Sequence, residues 1–362
     1  MRSSTSSSKR PEHHLPEPPV SVVAPPLVAP EGPWGRTWLA ALLAVLVVLG
    51  GLEVFWRSRG HIPSVVDDQD LWAVQRGRIP AGDPHAVALL GTSRMLTNVS
   101  LETMRALLPG WTVVQLAVDG KAPMAALIDL AEDPKFLGVI VCESPEHGFD
   151  SANRDDQQEF VMYARDRSTW DNAVNRAIAT ALQSRIVVIS PQVGLRKVAE
   201  TLATSRRLPV PQFVITGGDR SQRTDYSKTN IQSMRAFRIR RMQHSYEINP
   251  TLAPPEWLQQ ALQIEPAIHE LQARGGKLAM VRFPTTGEYW QADEQHYPRA
   301  AYWDAWAART AAVAIHFRDV PALDAFDLPD TSHVDVKDTA AFTRALVQTL
   351  RARGVLPEGS AQ

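Results

Sequence analysis

The hydrophobic positions along the chain form three successive patterns. Up to about residue 36 the sequence is rich in serine, proline and alanine and has almost no periodic apolar positions. Such a segment cannot bury enough surface to offset the entropy lost on ordering, so we predict a disordered tail over residues 1–36. A continuous apolar run occupies residues 37–56, and from residue 85 onward apolar runs alternate with amphipathic segments.

The apolar run predicts a transmembrane helix over 37–56. It has about the 20 residues that one crossing needs, and Trp38 and Trp56 stand where interfacial aromatics belong. A buried core helix is the alternative, but such helices are rarely apolar on all faces. The charge bias across the run is weak, and we favour a single-pass protein of the cytoplasmic (inner) membrane with its C-terminal domain extracytoplasmic, or periplasmic. Residues 57–84 then form a membrane-proximal connector.

The alternating part of the chain predicts an α/β fold. Buried strands that alternate with helices indicate a parallel sheet with right-handed crossovers. Residues 144–275 break this alternation and are mostly helical in character. We therefore predict a three-layer parallel-sheet domain over 85–355, with a long helical insertion at about 144–275. The predicted strands are 86–90, 111–118, 136–142, 277–283 and 314–320.

A basic run lies within the predicted insertion. Its two interpretations are a solvated helix face, which is the ordinary meaning of a charge run, and contact with anionic glycans or lipid headgroups. The run consists of Arg235, Arg238, Arg240 and Arg241.

Composition excludes several classes of function. The chain has 362 residues and a net charge of −1, whereas a nucleic-acid surface needs a basic excess. A single cysteine, Cys142, excludes an internal disulfide framework and cysteine-based zinc sites. The sequence has neither a phosphate-binding glycine-rich loop nor a His-Glu-x-x-His zinc motif, so we expect neither a cofactor nor a metal. The alternative, loosely spaced metal ligands at Glu143, Glu146 and His147, is a weaker interpretation than a strand-end loop.

Candidate nucleophile chemistry lies at two places. Ser93 follows the first buried strand, where open α/β sheets place their ligands, although serine is also common in turns. Near the other end of the chain, Asp330 precedes His333 by three residues, a spacing that can set a carboxylate beside an imidazole. A serine, a base and a group that orients the base make up a nucleophilic triad. Asp335 and Asp338 are competing partners for His333.

These motifs resemble those of the SGNH (GDSL-type) hydrolase superfamily. The resemblance is carried by Gly91-Thr-Ser93, by Gly120 after the second strand, and by Asp330-Thr-Ser-His333 before the last helix. It covers about residues 86–142 and 277–350. The layout is similar to that of a membrane-anchored bacterial branch whose members acetylate or otherwise acylate cell-envelope polysaccharides.

The resemblance implies roles for individual residues. Ser93 would be the nucleophile, His333 the base and Asp330 the group that orients it, with the backbone N–H groups of Ser93 and Gly120 as the oxyanion hole. In that superfamily an asparagine after the third strand normally completes the hole, but here that place, residues 142–147, has none.

Two further charged residues are candidates for contact with substrate or with developing charge, and one of them, Arg282, could take the place of the asparagine. Arg282 ends a buried strand, where an unpaired charge is costly, so we expect it to point into the ligand crevice. Glu143 is a second candidate for contact with substrate or with developing charge.

The expected function is that of a serine esterase or O-acyltransferase, with acetyl as the expected acyl group and an envelope glycan as the substrate. A transferase would need an integral-membrane partner that supplies the acyl donor. The alternative is a catalytically inactive relative that serves as a glycan-binding or assembly subunit; the absent asparagine favours it, and the complete set of three triad residues argues against it.

Overall fold

The N-terminal part of the computed structural model, which describes residues 32–358, is one long helix, Trp34–Ser58. The predicted tail over 1–36 lies outside the described residues except for 32–36. The helix has 25 residues, its most apolar stretch has a mean hydropathy of 2.4, and it encloses the predicted span 37–56. It is therefore long and apolar enough to cross a membrane.

The elements alternate as the sequence predicts. The strands are β1 (Ala86–Leu90), β2 (Thr112–Gln115), β3 (Val139–Glu143), β4 (Val214–Thr216), β5 (Gln222–Thr224), β6 (Lys277–Arg282) and β7 (Val313–His316). The helices are α1 (Trp34–Ser58), α2 (Gln69–Arg76), α3 (Ser93–Asn98), α4 (Leu101–Leu107), α5 (Met124–Glu132), α6 (Gln158–Met162), α7 (Trp170–Gln183), α8 (Leu195–Ser205), α9 (Ile231–Ile248), α10 (Pro254–Ala261), α11 (Glu265–Ala273), α12 (Gly287–His296), α13 (Trp303–Ala307), α14 (Pro321–Asp324) and α15 (Thr339–Ala352).

Five strands form one parallel sheet in the order β2-β1-β3-β6-β7. Its central strands are buried on both faces, which parallel sheets require because helices cover each side. The register aligns the carboxyl ends: Leu90 of β1 pairs with Cys142 of β3, and Cys142 pairs with Met280 of β6. The predicted parallel α/β fold is confirmed.

Helices pack on both faces of the sheet and make three layers. Successive strand residues point to opposite faces. Ala88 therefore joins an apolar core with Leu127 of α5 and Ile268 of α11. Its neighbour Leu89 joins a second core, on the other face, with Leu346 of α15.

The insertion between β3 and β6 is helical, as predicted, but it differs in two details. It contains an antiparallel hairpin, β4–β5, that the sequence analysis missed. The predicted helical character is also interrupted near the end of the insertion, where a 3₁₀ turn at Leu262–Ile264 separates α10 from α11. Pro266 explains the division, because proline lacks an N–H and clashes with the carbonyl four residues earlier, so that it is tolerated only in the first turn.

The last strand is shorter than the predicted 314–320. β7 ends at His316, and a 3₁₀ turn, Phe317–Asp319, follows it. The imidazole Nδ1 of His316 accepts a hydrogen bond of 3.1 Å from the backbone N–H of Arg318, which stabilises the turn.

Candidate active site

Ser93 is the first residue of α3, directly after β1. The turn needs a glycine at position 91, where φ is +148° and a Cβ would lie 2.9 Å from both the carbonyl oxygen of Glu143 and the Cβ of Met95. Thr92 caps the helix by accepting from the N–H of Arg94. The N–H of Ser93 consequently has no acceptor within its own helix, because the first N–H groups of a helix never do.

The structure brings the serine together with the two residues from the far end of the chain. His333 Nε2 lies 2.8 Å from Ser93 Oγ, and His333 Nδ1 lies 3.1 Å from Asp330 Oδ2. The other carboxylate oxygen, Oδ1, accepts from the backbone N–H groups of Ser332 (3.1 Å) and His333 (2.8 Å). The carboxylate is therefore fixed by its own loop and orients the imidazole toward the serine hydroxyl. The competing partners in the sequence, Asp335 and Asp338, are not the ones that contact the ring.

Electrostatics keep the imidazole neutral and the carboxylate charged. Burial is the largest cause that lowers the pKa of His333, and the positive charge of Arg238 lowers it further, against the opposing effect of Asp330. Burial alone would raise the pKa of Asp330, but the contacts with His333 and Arg238 outweigh it and hold that pKa far below its ordinary value. A neutral imidazole next to a hydroxyl is the protonation state that a general base requires.

Arg238 is a member of the site that the sequence analysis did not assign. Its Nε forms an ion pair with Asp330 Oδ2, and its side chain is 27% exposed while that of Asp330 is fully buried. One turn earlier on α9, Arg235 Nε donates to the carbonyl of Pro329 at 2.5 Å. Part of the basic run therefore docks on the loop that carries Asp330, which neither interpretation of the run had foreseen.

Gly120 lies across the same cavity from α3. It follows the extended residues after β2, in which the N–H of Val118 donates to the carbonyl of Gly91 (3.0 Å), and its φ is +67°. Ser93 and Gly120 both line the cavity. A guanidinium nitrogen of Arg241, another member of the basic run, lies 3.2 Å from where a Cβ on Gly120 would stand.

An asparagine does reach the cavity from beyond β3, but it comes later in the chain than the superfamily pattern places it. Asn153 lines the cavity and donates through its side-chain nitrogen to the carbonyl of His147 at 2.7 Å. No spacing rule connects position 153 with the end of β3, so the sequence offered no signal for it.

Glu143 lies beneath the residues that line the cavity, and its side chain does not face the cavity. Its side chain is fully buried and accepts from the N–H (3.0 Å) and hydroxyl (2.7 Å) of Thr92, and from Arg94 Nη1 at 3.1 Å. Arg94 Nε also donates to Ser332 Oγ at 2.9 Å, so one buried network joins the ends of β1 and β3 to the loop of Asp330. The expectation that Glu143 contacts substrate is corrected: a buried carboxylate needs a cation and N–H donors, and these occupy it.

Arg282 is also elsewhere than expected. It is fully buried, donates to Glu146 Oε2 at 2.9 Å and to Asp293 Oδ2 at 2.5 Å, and does not line the cavity. The expectation that Arg282 points into the ligand crevice is therefore wrong. Burial of a guanidinium is costly unless its charge is compensated, and two carboxylates and the carbonyl of Phe283 compensate it inside the protein.

The cavity beside Ser93 has a volume of about 230 Å³ and a mixed polar and aromatic wall. Tyr289 and Tyr297 line it, whereas the neighbouring Trp303 and Trp306 are buried in the core. Burial raises the pKa of Asp150, which lines the cavity and accepts from the Tyr297 hydroxyl at 2.7 Å, to about 6. Within residues 32–358 no group of three or more acidic, histidine and cysteine side chains could hold a metal ion.

Among the known proteins, similarity to this chain is found at the level of solved structures. Neither the protein-family models nor the curated protein sequences contain a match to this chain. Among solved structures, a crystal structure of TesA is 12% identical in sequence, with a TM-score of 0.34, and the alignment covers 74% of this chain and 99% of that one.

Proposed function

We propose that this protein is a serine esterase or O-acyltransferase that works through an acyl-enzyme intermediate. The observation that carries the proposal is the 2.8 Å contact between Ser93 Oγ and His333 Nε2, with Asp330 on the other ring nitrogen. A serine in a purely structural role needs only one hydrogen-bond partner. Activation of a serine as a nucleophile requires a base beside its hydroxyl and a third group that orients the base.

The proposed reaction has two halves. His333 takes the proton of Ser93 as Oγ attacks the acyl carbonyl, and the N–H groups of Ser93 and Gly120 stabilise the oxyanion. The imidazolium then gives that proton to the departing alcohol oxygen, which leaves an ester on Ser93. In the second half His333 deprotonates water or a sugar hydroxyl, which attacks the ester, and the proton returns to Ser93 Oγ as the product leaves.

The proposed substrate is an acylated glycan of the cell envelope or an exported polysaccharide, with acetyl as the transferred group. Two features support it: tyrosines beside polar side chains in the cavity wall, as in sugar-binding surfaces, and a helix, α1, that can hold the domain at a membrane. A transferase would receive its acyl group from an integral-membrane partner. The proposed location is the cytoplasmic membrane with the domain on the extracytoplasmic side, which a reporter fused after Gln362 tests.

The first experiment measures nitrophenol release from p-nitrophenyl acetate by the full chain in detergent, with Ser93→Ala as the test variant. Ser151→Ala, an exposed serine on a turn, is the matched control. We expect release by the wild type and the control, loss in the test variant, and an acetyl adduct that mass spectrometry maps to Ser93. Equal release by all three proteins without an adduct on Ser93 contradicts the proposal.

A second candidate function is a non-catalytic glycan-binding or assembly subunit with the same fold. The observation that favours it is the absence of an asparagine from residues 142–147, directly after β3. This candidate predicts binding of an envelope polysaccharide, measured by calorimetry, that Ser93→Ala leaves unchanged, together with the absence of any acetyl adduct.

A further inference from the structure

Helix α7 carries its apolar side chains on the outside. Trp170, Val174, Ile178 and Leu182 follow one another at intervals of four residues and are 81%, 49%, 56% and 46% exposed. Residues four apart lie on one face of a helix, so these side chains form a continuous outward stripe, which we call the α7 stripe.

The polar side of the same helix faces inward. Arg176 is buried, and its guanidinium donates to Asp68 Oδ2 at 2.6 Å and to Gln183 Oε1 at 2.9 Å. Gln183 in turn accepts from the backbone N–H of Val66 at 3.0 Å. This arrangement is the reverse of a helix on a water-exposed surface, which buries its apolar stripe and exposes its polar face.

The exposed apolar surface continues beyond α7. Of thirteen exposed large apolar side chains outside α1 among the described residues, eight lie between 170 and 210. The four that follow the α7 stripe are Ile189, Leu195, Leu202 and Val210. A concentration of this kind marks an interaction surface, since isolated exposed apolar residues would be scattered over the whole molecule.

The chain directly after α7 is bound to the end of the apolar helix α1. Glu53 accepts hydrogen bonds from the N–H groups of Val187 (3.0 Å) and Val188 (2.9 Å). Arg57 Nη2 donates to the carbonyl of Arg185 at 2.6 Å, and Trp56 packs against Val187. Where α1 leaves a bilayer, the C-terminal end of α7 is therefore at the level of the headgroups.

The charge of this segment indicates which surface it meets. Residues 170–210 expose five basic and two acidic side chains, the buried Arg176 not counted, in a chain whose overall net charge is −1. A helix with an apolar face, a tryptophan and neighbouring basic residues is typical of segments that lie in the interface of an anionic bilayer.

We propose that the α7 stripe and the apolar residues after it rest in the membrane leaflet where α1 emerges, as a second, interfacial contact with anionic lipid. This inference uses the membrane-anchor part of the proposed function and is independent of the chemistry at Ser93. A single helix leaves a domain free to swivel, and a second contact fixes which face it presents to the membrane.

The test places a fluorescent nitrobenzoxadiazole label on single cysteines in the full chain, reconstituted in phosphatidylglycerol–phosphatidylcholine vesicles. The only native cysteine, Cys142, is buried, so an introduced thiol is labelled selectively. The test position is Ile178→Cys, the anchor position is Leu46→Cys in α1, and the control is Gln348→Cys on the exposed side of α15. Lipids with a spin label on the acyl chain quench only those probes that enter the bilayer.

We expect quenching and a shift to shorter emission wavelength at positions 46 and 178, and neither at 348. In pure phosphatidylcholine we expect quenching at 178 to fall by about twofold or more, because the anionic headgroups are lost. Quenching at 46 without quenching at 178 overturns the inference and assigns the stripe to a protein partner. Lack of quenching at both overturns the inference and the proposed anchor together, whereas failure of the Ser93 chemistry alters neither result.

Discussion

Arg238 contacts the same carboxylate oxygen of Asp330, Oδ2, that faces the imidazole of His333. One carboxylate therefore contacts two groups that can carry positive charge. The guanidinium is always charged, whereas the imidazole becomes positive only when it has taken a proton. Because Arg238 stabilises the charge of Asp330 and repels an imidazolium, it works against protonation of His333.

Replacement of Arg238 by glutamine should raise the pKa of His333. The groups that face this imidazole are Asp330, Arg238, Arg94 and the hydroxyl of Ser93, and the substitution removes one of the two cations. A neutral base is lost as pH falls through its pKa, so the acid limb of kcat/KM should move to higher pH. The ring resonances of His333 in an NMR titration should report the same change.

Arg240→Gln is the matched control, because Arg240 is exposed on the same helix and forms no ion pair among residues 32–358. A uniform fall of activity at every pH in Arg238→Gln, with the acid limb in its original place, would show that Arg238 only holds α9 in position.

Glu143→Gln should lower stability strongly. The substitution leaves the guanidinium of Arg94 buried without its counter-charge, and breaking a buried ion pair costs about 3–5 kcal/mol. Thermal unfolding in detergent measures the change. Glu102→Gln, whose carboxylate is 87% exposed and 3.8 Å from Arg223, should change the melting temperature little; equal effects of the two variants would contradict the buried network.

Arg282→Met should affect folding and leave the chemistry intact. It removes the cation between Glu146 and Asp293, so we expect a loss of about 3–5 kcal/mol of stability. Since Arg282 does not line the cavity, kcat and KM per folded molecule should remain those of the wild type. Arg309→Met, at an exposed position, is the control, and a fall of kcat in fully folded protein would restore Arg282 to the active site.

Asp150→Asn should stabilise the protein more at neutral than at acid pH. Burial raises the pKa of Asp150 from 3.8 to about 6, so the folded state keeps a proton that the unfolded state has released. Wild-type stability therefore falls as pH rises from about 4 to about 6, by about 3 kcal/mol at most, and stays lower above that window. The amide of the asparagine does not ionise, so it carries no cost of burying a charge, and its oxygen can still accept a hydrogen bond from the Tyr297 hydroxyl.

The measurement is the difference in melting temperature between Asp150→Asn and the wild type across pH 4.5 to 7.5, with Asp155→Asn, close in sequence and exposed, as the control. The difference should grow with pH and then become constant. A difference that does not change with pH means that Asp150 ionises in the folded protein as it does in water.

Local patterns in the sequence were enough to predict the sheet and the positions after its strands. β1 begins and ends where the apolar run over Ala86–Leu90 does, and the residues after it must lie at the carboxyl edge of a parallel sheet. The same rule led to Ser93, and the spacing of three residues between Asp330 and His333 led to the carboxylate and the imidazole. The structure places these three side chains in contact, and their catalytic role stays a prediction.

Contacts between distant segments were beyond the reach of such patterns. Arg238 pairs with Asp330, whereas Arg240 is exposed to solvent. No feature of the neighbouring sequence distinguishes the two arginines, because the difference depends on how α9 packs against a loop some ninety residues later. The prediction that Arg282 points into the ligand crevice was wrong for the same reason. A buried guanidinium needs carboxylate partners, and no local pattern indicated that Glu146 and Asp293 would lie beside it in the core.

The insertion between β3 and β6 has the geometry of an enlarged crossover. β3 and β6 are adjacent and parallel, and α11, the last helix before β6, packs on the sheet as an ordinary crossover helix does. The elements between β3 and α11 enlarge that crossover. They contribute Arg238 and Arg241 to the cavity, and the chain directly after α7 contacts the end of α1. A change confined to this segment would therefore alter the wall of the cavity and the surface near the end of α1 together, while β1 and the position of Ser93 stay unchanged.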